Sequence, residues 1–256
     1  MTTVENATGN RILAGKRALV TGGTRGIGAA IVRHLLDAGA QVLTTARSAT
    51  GQTAHGADFV AADVRTRAGA QTIATAAQEA LGGVDILVNN AGGAQPYESA
   101  AGIPDEVWQD ALDLNFLAAV RLDALLTPGM RERGTGAVVH VSSAVLPLTP
   151  PPFLHYVAAK AALESYSRGL AVELAPHGIR VNTVTPGRVA TPGGDRTREQ
   201  WAALGAGAEG ADAPVPLGRY GQPDDIAQAV LFLVSPRASW LTRSNLVVDG
   251  GEFPRG

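Results

Sequence analysis

Arg17-Ala18-Leu19-Val20-Thr21-Gly22-Gly23-Thr24-Arg25-Gly26-Ile27-Gly28 decides how the chain reads. A short apolar run ends in a cluster of glycines, the signature of a strand followed by a turn. Helical spacing follows over residues 26–38, with Ile27, Ile31 and Leu35 on the repeat and Gly39 as the stop. Glycines at such a junction let the backbone turn tightly and approach a pyrophosphate, whose charge a helix N-terminus stabilises. The spacing Gly22, Gly26, Gly28 departs from G-x-G-x-x-G, and a plain glycine-rich turn is the competing reading.

Outward from this junction the same alternation repeats. Apolar runs at 41–45, 58–61, 84–89, 136–142, 179–184 and 244–248 read as strands. Helical patterns occupy 67–81, 155–174 and 223–234. Pro104 opens a further long helix, expected to reach about Leu126 and to end before Pro128. Residues 47–56 read as a loop, and 188–216 as a long Gly/Ala/Pro segment with one weak helical piece around 198–204. Strands alternating with helices argue an α/β chain with a parallel sheet and helices on both faces. The near-continuous apolar strands agree, because both faces are covered. No repeat or linker is evident, so the expectation is a flexible leader, 1–13, and a single domain, 14–256.

The totals exclude several functions. The chain of 256 residues carries a net charge of −2 and no Lys/Arg block, which argues against nucleic acid or an anionic membrane as partner. It has no cysteine, so disulfides and thiolate chemistry are out. No apolar run is long enough to span a bilayer and no secretory signal is visible, so a cytoplasmic location is expected. No two histidines have metal-ligand spacing, and no metal is proposed. His140 reads as packed, His155 as half-exposed, and His34, His55 and His177 as surface residues.

Tyr156-Val157-Ala158-Ala159-Lys160 lies in a helical, small-residue run. Residues four apart share a helix face, so Tyr156 and Lys160 project together. A phenol titrates near 10, and an adjacent ammonium lowers that value toward the range useful to a general acid or base. Tyr-x-x-x-Lys also occurs by chance on many helices.

Read together, Thr21-Gly22-x-x-x-Gly26-x-Gly28, Asp63-Val64, Asn89-Asn90-Ala91-Gly92, Asn115, Ser143, Tyr156-x-x-x-Lys160, Pro186-Gly187 and Asp249-Gly250-Gly251 resemble a classical short-chain dehydrogenase/reductase. They stand in the family's order from about Gly15 to Gly251. The resemblance implies a Rossmann-type, doubly wound parallel sheet of about seven strands. It implies NAD(H) or NADP(H) as cofactor and a ketone or secondary alcohol as substrate. Tyr156 would be the general acid/base. Lys160 would lower the Tyr156 pKa and hold the nicotinamide ribose. Ser143, the family's thirteen residues before the tyrosine, would bind the carbonyl oxygen, with Ser142 as its packing neighbour. Asn115 would hold the water that passes protons from Lys160.

On the cofactor side, the resemblance assigns the glycine loop (Gly22, Thr24, Arg25, Gly26, Ile27, Gly28) to the dinucleotide, and Asp63 and Val64 to the adenine. Asn90, Ala91 and Gly92 would close over the adenosine half, and Asn89 would brace the sheet. Pro186, Gly187, Val189 and Thr191 would hold the nicotinamide. The acid that selects NAD(H) falls on Ala46, and Arg47 follows it; with Arg25, two guanidiniums and no carboxylate suit a 2′-phosphate, so NADP(H) is expected.

Segments 93–103, 144–155 and 188–216 surround the expected substrate mouth and carry Tyr97, Leu146, Leu148, Phe153, Leu154 and Trp201, an apolar set. The family commonly forms tetramers, and a homo-oligomer, tetramer or dimer, is expected through close-packing helices that carry Ala118, Ala119, Ala161 and Ala162. The second reading is a catalytically idle relative that binds NADP(H) as a sensor or scaffold. Loss of Tyr156 or Lys160 would point there, and neither is lost.

Overall fold

The computed structural model describes residues 11–48, 54–205 and 215–253. Seven strands form one sheet: β1 (Arg17–Thr21), β2 (Gln41–Ala46), β3 (Asp58–Ala61), β4 (Ile86–Asn89), β5 (Gly136–Val141), β6 (Ile179–Pro186) and β7 (Asn245–Val248). All pairings are parallel and the order is β3-β2-β1-β4-β5-β6-β7. The order reverses between β1 and β4, which opens a crevice at the carboxyl ends of the strands. The expected fold class and strand count are what the sheet displays.

The helices are α1 (Gly26–Asp37), α2 (Arg67–Leu81), α3 (Asp105–Leu112), α4 (Ala118–Arg133), α5 (Leu154–Leu174), α6 (Pro192–Ala203) and α7 (Pro223–Val234). Successive strand side chains point to opposite faces. Ala18 and Val20 therefore join one core with Ile31 and Leu35 of α1 and with Ile226, Val230 and Leu233 of α7. Leu19 joins the other, with Ile73 of α2, Leu122 and Met130 of α4, and Leu174 of α5. Fully burying a side chain such as Leu19 contributes roughly 1.5–3 kcal/mol. This two-sided burial is why the strands carry unbroken apolar runs.

Four boundaries differ from the sequence expectation. Leu13, placed in the leader, is buried under the α1–β2 corner, and its N–H bonds the Ala38 carbonyl; residues 1–10 lie outside the described residues. The long helix does not stop before Pro128 but runs to Arg133. Pro128 costs the Ala124 carbonyl its donor, yet both residues lie on the exposed side, where the carbonyl is open to solvent. Gly134, at φ 66°, ends the helix. The same helix is interrupted by a π turn at Asp113–Leu117, where the Ala118 N–H reaches back to the Asp113 carbonyl. Finally, α6 starts at Pro192, where the expected helical piece begins only at about 198; residues 206–214 of that segment lie outside the described residues.

Candidate active site

The first turn of α1 sits at the mouth of the crevice. Thr66 and Thr191 cap α2 and α6 through their hydroxyls, but no side chain caps α1 at Arg25. Its leading N–H groups are thus the partners an anion would take. The glycines leave the space. A Cβ on Gly28 would lie 2.1 Å from the Gly22 carbonyl oxygen, so only glycine lets the loop fold back on the helix. Gly26 faces Thr191, whose Cβ and Cγ2 would be 3.3 Å from an added Cβ. The glycine loop and the segment after β6 therefore meet across the crevice. Thr24 and Ile27 are half-buried between them, and Ile27 packs on the core.

The Asn90 side chain turns to the glycine loop. Its amide donates to the Thr21 carbonyl at 2.8 Å and the Gly22 carbonyl at 3.3 Å, which fixes the glycine loop. Thr21 Oγ1 returns the bond, accepting from the Asn90 and Ala91 N–H groups at 3.0 and 2.9 Å. Thr21 is a loop-setting residue whose role sequence reasoning misses. Asn89 braces the sheet by donating to Asp123 Oδ1 at 2.9 Å.

After β3, Asp63 Oδ1 accepts from the Arg65 N–H at 3.0 Å. Val64 is 7% exposed, with its side chain in the core on the α2 face, so only its backbone is left to a ligand. Ala46 ends β2 beside Ala61 of β3. Arg25 and Arg47 are exposed, and among the described residues no ion pair holds either. Thr45 pairs with Thr21, so the two arginines emerge from adjacent strand ends.

Three groups meet at the end of β5. Ser143 stands beside the phenol of Tyr156, whose pKa it lowers. Lys160 is 3% exposed, and its ammonium donates to the Val141 carbonyl at 2.7 Å. Its nitrogen lies 6.0 Å from the Tyr156 ring centre. A Cβ on Gly92 would stand 3.2 Å from Lys160 Nζ and 3.0 Å from Asn115 Oδ1, so the three share one small space. Asn115 is buried in the π turn. Its Oδ1 accepts from the Gly93 N–H at 3.0 Å, and its amide donates to the Gly93 and Ala111 carbonyls, both at 3.1 Å. The Asn115 side chain is therefore committed to the Gly93 and Ala111 backbone. π turns recur at functional sites for this reason: they place such a group without breaking the helix.

Burial dominates the electrostatics of the cluster. Burial pushes the Tyr156 phenol above its ordinary value, and the Ser143 hydroxyl pulls only partly the other way. Burial pushes Lys160 down to about 8, opposed by the Glu164 carboxylate. Burial is thus the largest influence on both groups.

Over the mouth lies α6. Thr197 Oγ1 donates to the Ala94 carbonyl at 3.1 Å, and Trp201 meets Phe153 edge-on with ring centres 5.2 Å apart. Leu148 is exposed. His155, expected to be half-exposed, is 3% exposed. It is enclosed edge-on by Tyr97 at 5.6 Å and Trp108 at 6.2 Å, and burial lowers its pKa. His34 is half-buried against Asp224 at 2.8 Å.

Beneath the nicotinamide segment of the resemblance, Glu252 Oε2 accepts from the Arg188 N–H at 2.9 Å, and its carboxylate pairs with the Arg188 guanidinium. Val189 bridges to Gly221. A Cβ on Gly187 would meet Asp249 Cα at 2.7 Å. Pro186 closes β6 beside Val248. No local pattern announces Glu252, which is 64 residues from its partner. Glu164, also missed, has a signal: it continues the four-residue spacing of Tyr156 and Lys160.

Among the described residues no helix is long and apolar enough to cross a membrane, and no His/Asp/Glu group is placed to hold a metal ion. Sheet order, crevice and the Ser143–Tyr156–Lys160 cluster define the class, and the chain belongs to the short-chain dehydrogenase/reductase family, a family of oxidoreductases. A family model described as enoyl-(acyl carrier protein) reductase matches residues 22–252. The chain is 37% identical to the 3-oxoacyl-(acyl-carrier-protein) reductase of Vibrio cholerae, over 94% of this chain and 98% of that protein. It is 35% identical to the L-fucose dehydrogenase of Mus musculus, over 93% and 88%. Its fold is similar to that of the L-sorbose reductase of Gluconobacter frateurii, solved with NADPH and L-sorbose, with a TM-score of 0.86, 34% identity and 95% and 98% of the two chains covered.

Proposed function

We propose that the protein transfers a hydride between NADP(H) and a ketone or secondary alcohol of a small molecule. The observation that carries this reading is the meeting of Ser143, Tyr156 and Lys160 at the end of β5, beside a glycine-lined crevice. NADP(H), when bound, supplies or accepts the hydride. The chain's residues hold and move the proton. Ser143 and Tyr156 present two hydroxyls to one carbonyl oxygen. Tyr156, kept protonated by burial, gives its proton to the developing alkoxide and takes it back in the reverse direction. The Lys160 ammonium stabilises the phenolate left behind. Asn115 keeps the Gly93 backbone in place beside them.

For the cofactor, the uncapped α1 terminus and the cleared space at Gly22, Gly26 and Gly28 suit a pyrophosphate. Exposed Arg25 and Arg47, with Ala46 where an acid would select NAD(H), favour the 2′-phosphate. The relative solved with NADPH supports the same choice. Phe153, Trp201 and Tyr97 about the mouth favour a substrate with an aliphatic, alicyclic or aromatic body.

The test is consumption of NADPH and NADH against a panel of ketones, aldehydes and quinones, with the matching alcohols run in reverse. The reading predicts turnover of a ketone with NADPH preferred. NADPH binding without turnover in either direction across the panel would overturn it.

A further inference from the structure

Tyr156, Lys160 and Glu164 stand one helical turn apart on the same face of α5. Each meets a different residue at the end of β5. Tyr156 stands beside Ser143, the Lys160 ammonium donates to the Val141 carbonyl at 2.7 Å, and Glu164 Oε1 accepts from Ser142 Oγ at 2.7 Å. The same carboxylate oxygen accepts from Thr185 Oγ1 of β6 at 3.4 Å and from Asn245 Nδ2 of β7 at 3.3 Å. One side chain therefore ties three strand ends to the helix that carries Tyr156.

A side chain that only stapled strands would not need charge, because a glutamine carbonyl accepts the same bonds. Glu164 is mostly withdrawn from solvent, with 17% of its side chain exposed, and an ionised carboxylate there costs free energy unless it is compensated. The charged groups around it are Lys160 one turn before, Arg168 Nη1 at 4.0 Å one turn after, and Arg243, which lines the same cavity of about 30 Å³. Tyr156 is the other titratable group beside Lys160.

The geometry points to Glu164 as a positioning residue of the reaction site: its charge keeps buried Lys160 an ammonium, and its hydrogen bonds set the strand end that bears Ser143. This rests on the proposed reading of Tyr156 and Lys160. The direction of the Lys160 shift agrees with it, since burial lowers Lys160 and Glu164 is the charge that raises it.

The sequence provides a direct test. The chain has two lysines, Lys16 and Lys160. Full-length protein labelled with ¹³C at lysine Cε gives two lysine signals, which Lys16→Arg assigns. Lys160 should titrate near 8 in the wild type. In Glu164→Gln its midpoint should fall by about half a unit or more, the scale of one partly screened charge a turn away. Glu164→Asp, which keeps the charge and shortens the reach, should stay near the wild-type midpoint. The alkaline limb of the kcat profile for ketone reduction should move with the midpoint. An unchanged Lys160 midpoint in Glu164→Gln overturns the inference, as does an equal fall in Gln and Asp. The lysine titration needs no substrate, so it decides the role of Glu164 separately from the reductase reading, which fails on the turnover panel.

Discussion

The Lys160 ammonium donates to the Val141 carbonyl at 2.7 Å while 3% exposed. A buried cation held by a neutral carbonyl is costly, and the cost is visible as the drop of its pKa from 10.5 to about 8. Between those values the unfolded chain holds more protons than the folded one, so stability rises with pH across that window. Wild-type protein should therefore resist urea better at about pH 9.5 than at about pH 7.5, and Lys160→Met should lack that rise. The full gap corresponds to about 3 kcal/mol. Parallel pH dependences in the two proteins would contradict the assignment.

Arg47 follows Ala46 at the end of β2 and is exposed with no ion pair among the described residues. Arg47→Ala should weaken NADPH binding about tenfold or more, in line with roughly 1.5–3 kcal/mol for a hydrogen bond to a charged group. NADH binding should be unchanged. Fluorescence titration of both dinucleotides reads the difference, and an equal loss for the two would assign Arg47 to something other than the 2′-phosphate.

Trp201 closes α6 onto Phe153 with ring centres 5.2 Å apart. Trp201→Ala removes that anchor, an aromatic pair of about 0.5–1.5 kcal/mol beyond its buried area. The KM for an apolar ketone should rise several-fold, more than kcat falls, and trypsin should cut after Arg196 sooner. Unaltered KM and proteolysis would show that α6 is held by its other contacts.

Asp123 is 1% exposed and accepts from two strands, from Asn89 at 2.9 Å and from His140 Nε2 at 2.9 Å, and its charge raises the Tyr166 phenol. His140 Nδ1 continues to Ser167 Oγ at 3.0 Å. The sequence Ser–His–Asp invites a hydrolytic reading, but His140 is completely enclosed and no substrate reaches it. The cluster is an interior brace. Asp123→Ala strands the buried Asn89 and His140 donors at roughly 1–3 kcal/mol each, so denaturant titration should show a loss of at least about 2 kcal/mol. Asp123→Asn should cost less.

The parts of this fold that are legible in sequence are those set by local rules. The glycine junction, the apolar strand runs and the Tyr156–Lys160 spacing depend on neighbours a few residues away. Residues 67–81 and 223–234 are readable end to end as helices, α2 by its Thr66 cap and Gly82 stop and α7 by Pro223 in its first turn. The departures depend on distant partners. Pro128 is tolerated because α4 turns that side to water. The start of α6 resembles a loop in sequence because Pro192, Gly193 and Gly194 are poor helix interior residues, yet Thr191 caps the Gly194 N–H at 3.0 Å. His155 reads as half-exposed because Tyr97 and Trp108, which enclose it, are far away in the chain. The burial that dominates the Tyr156 and Lys160 shifts is not legible in sequence, because composition and spacing carry no measure of it.

The most direct measurement of the central claim is the NADPH-dependent reduction of a ketone by Tyr156→Phe beside the wild type. The account predicts a loss of ~10²–10⁴-fold in kcat, the scale of a general acid, with NADPH affinity within about twofold because the phenol is not among the groups that set the glycine cradle. A variant that keeps most of the wild-type rate would contradict the assignment of the proton to Tyr156.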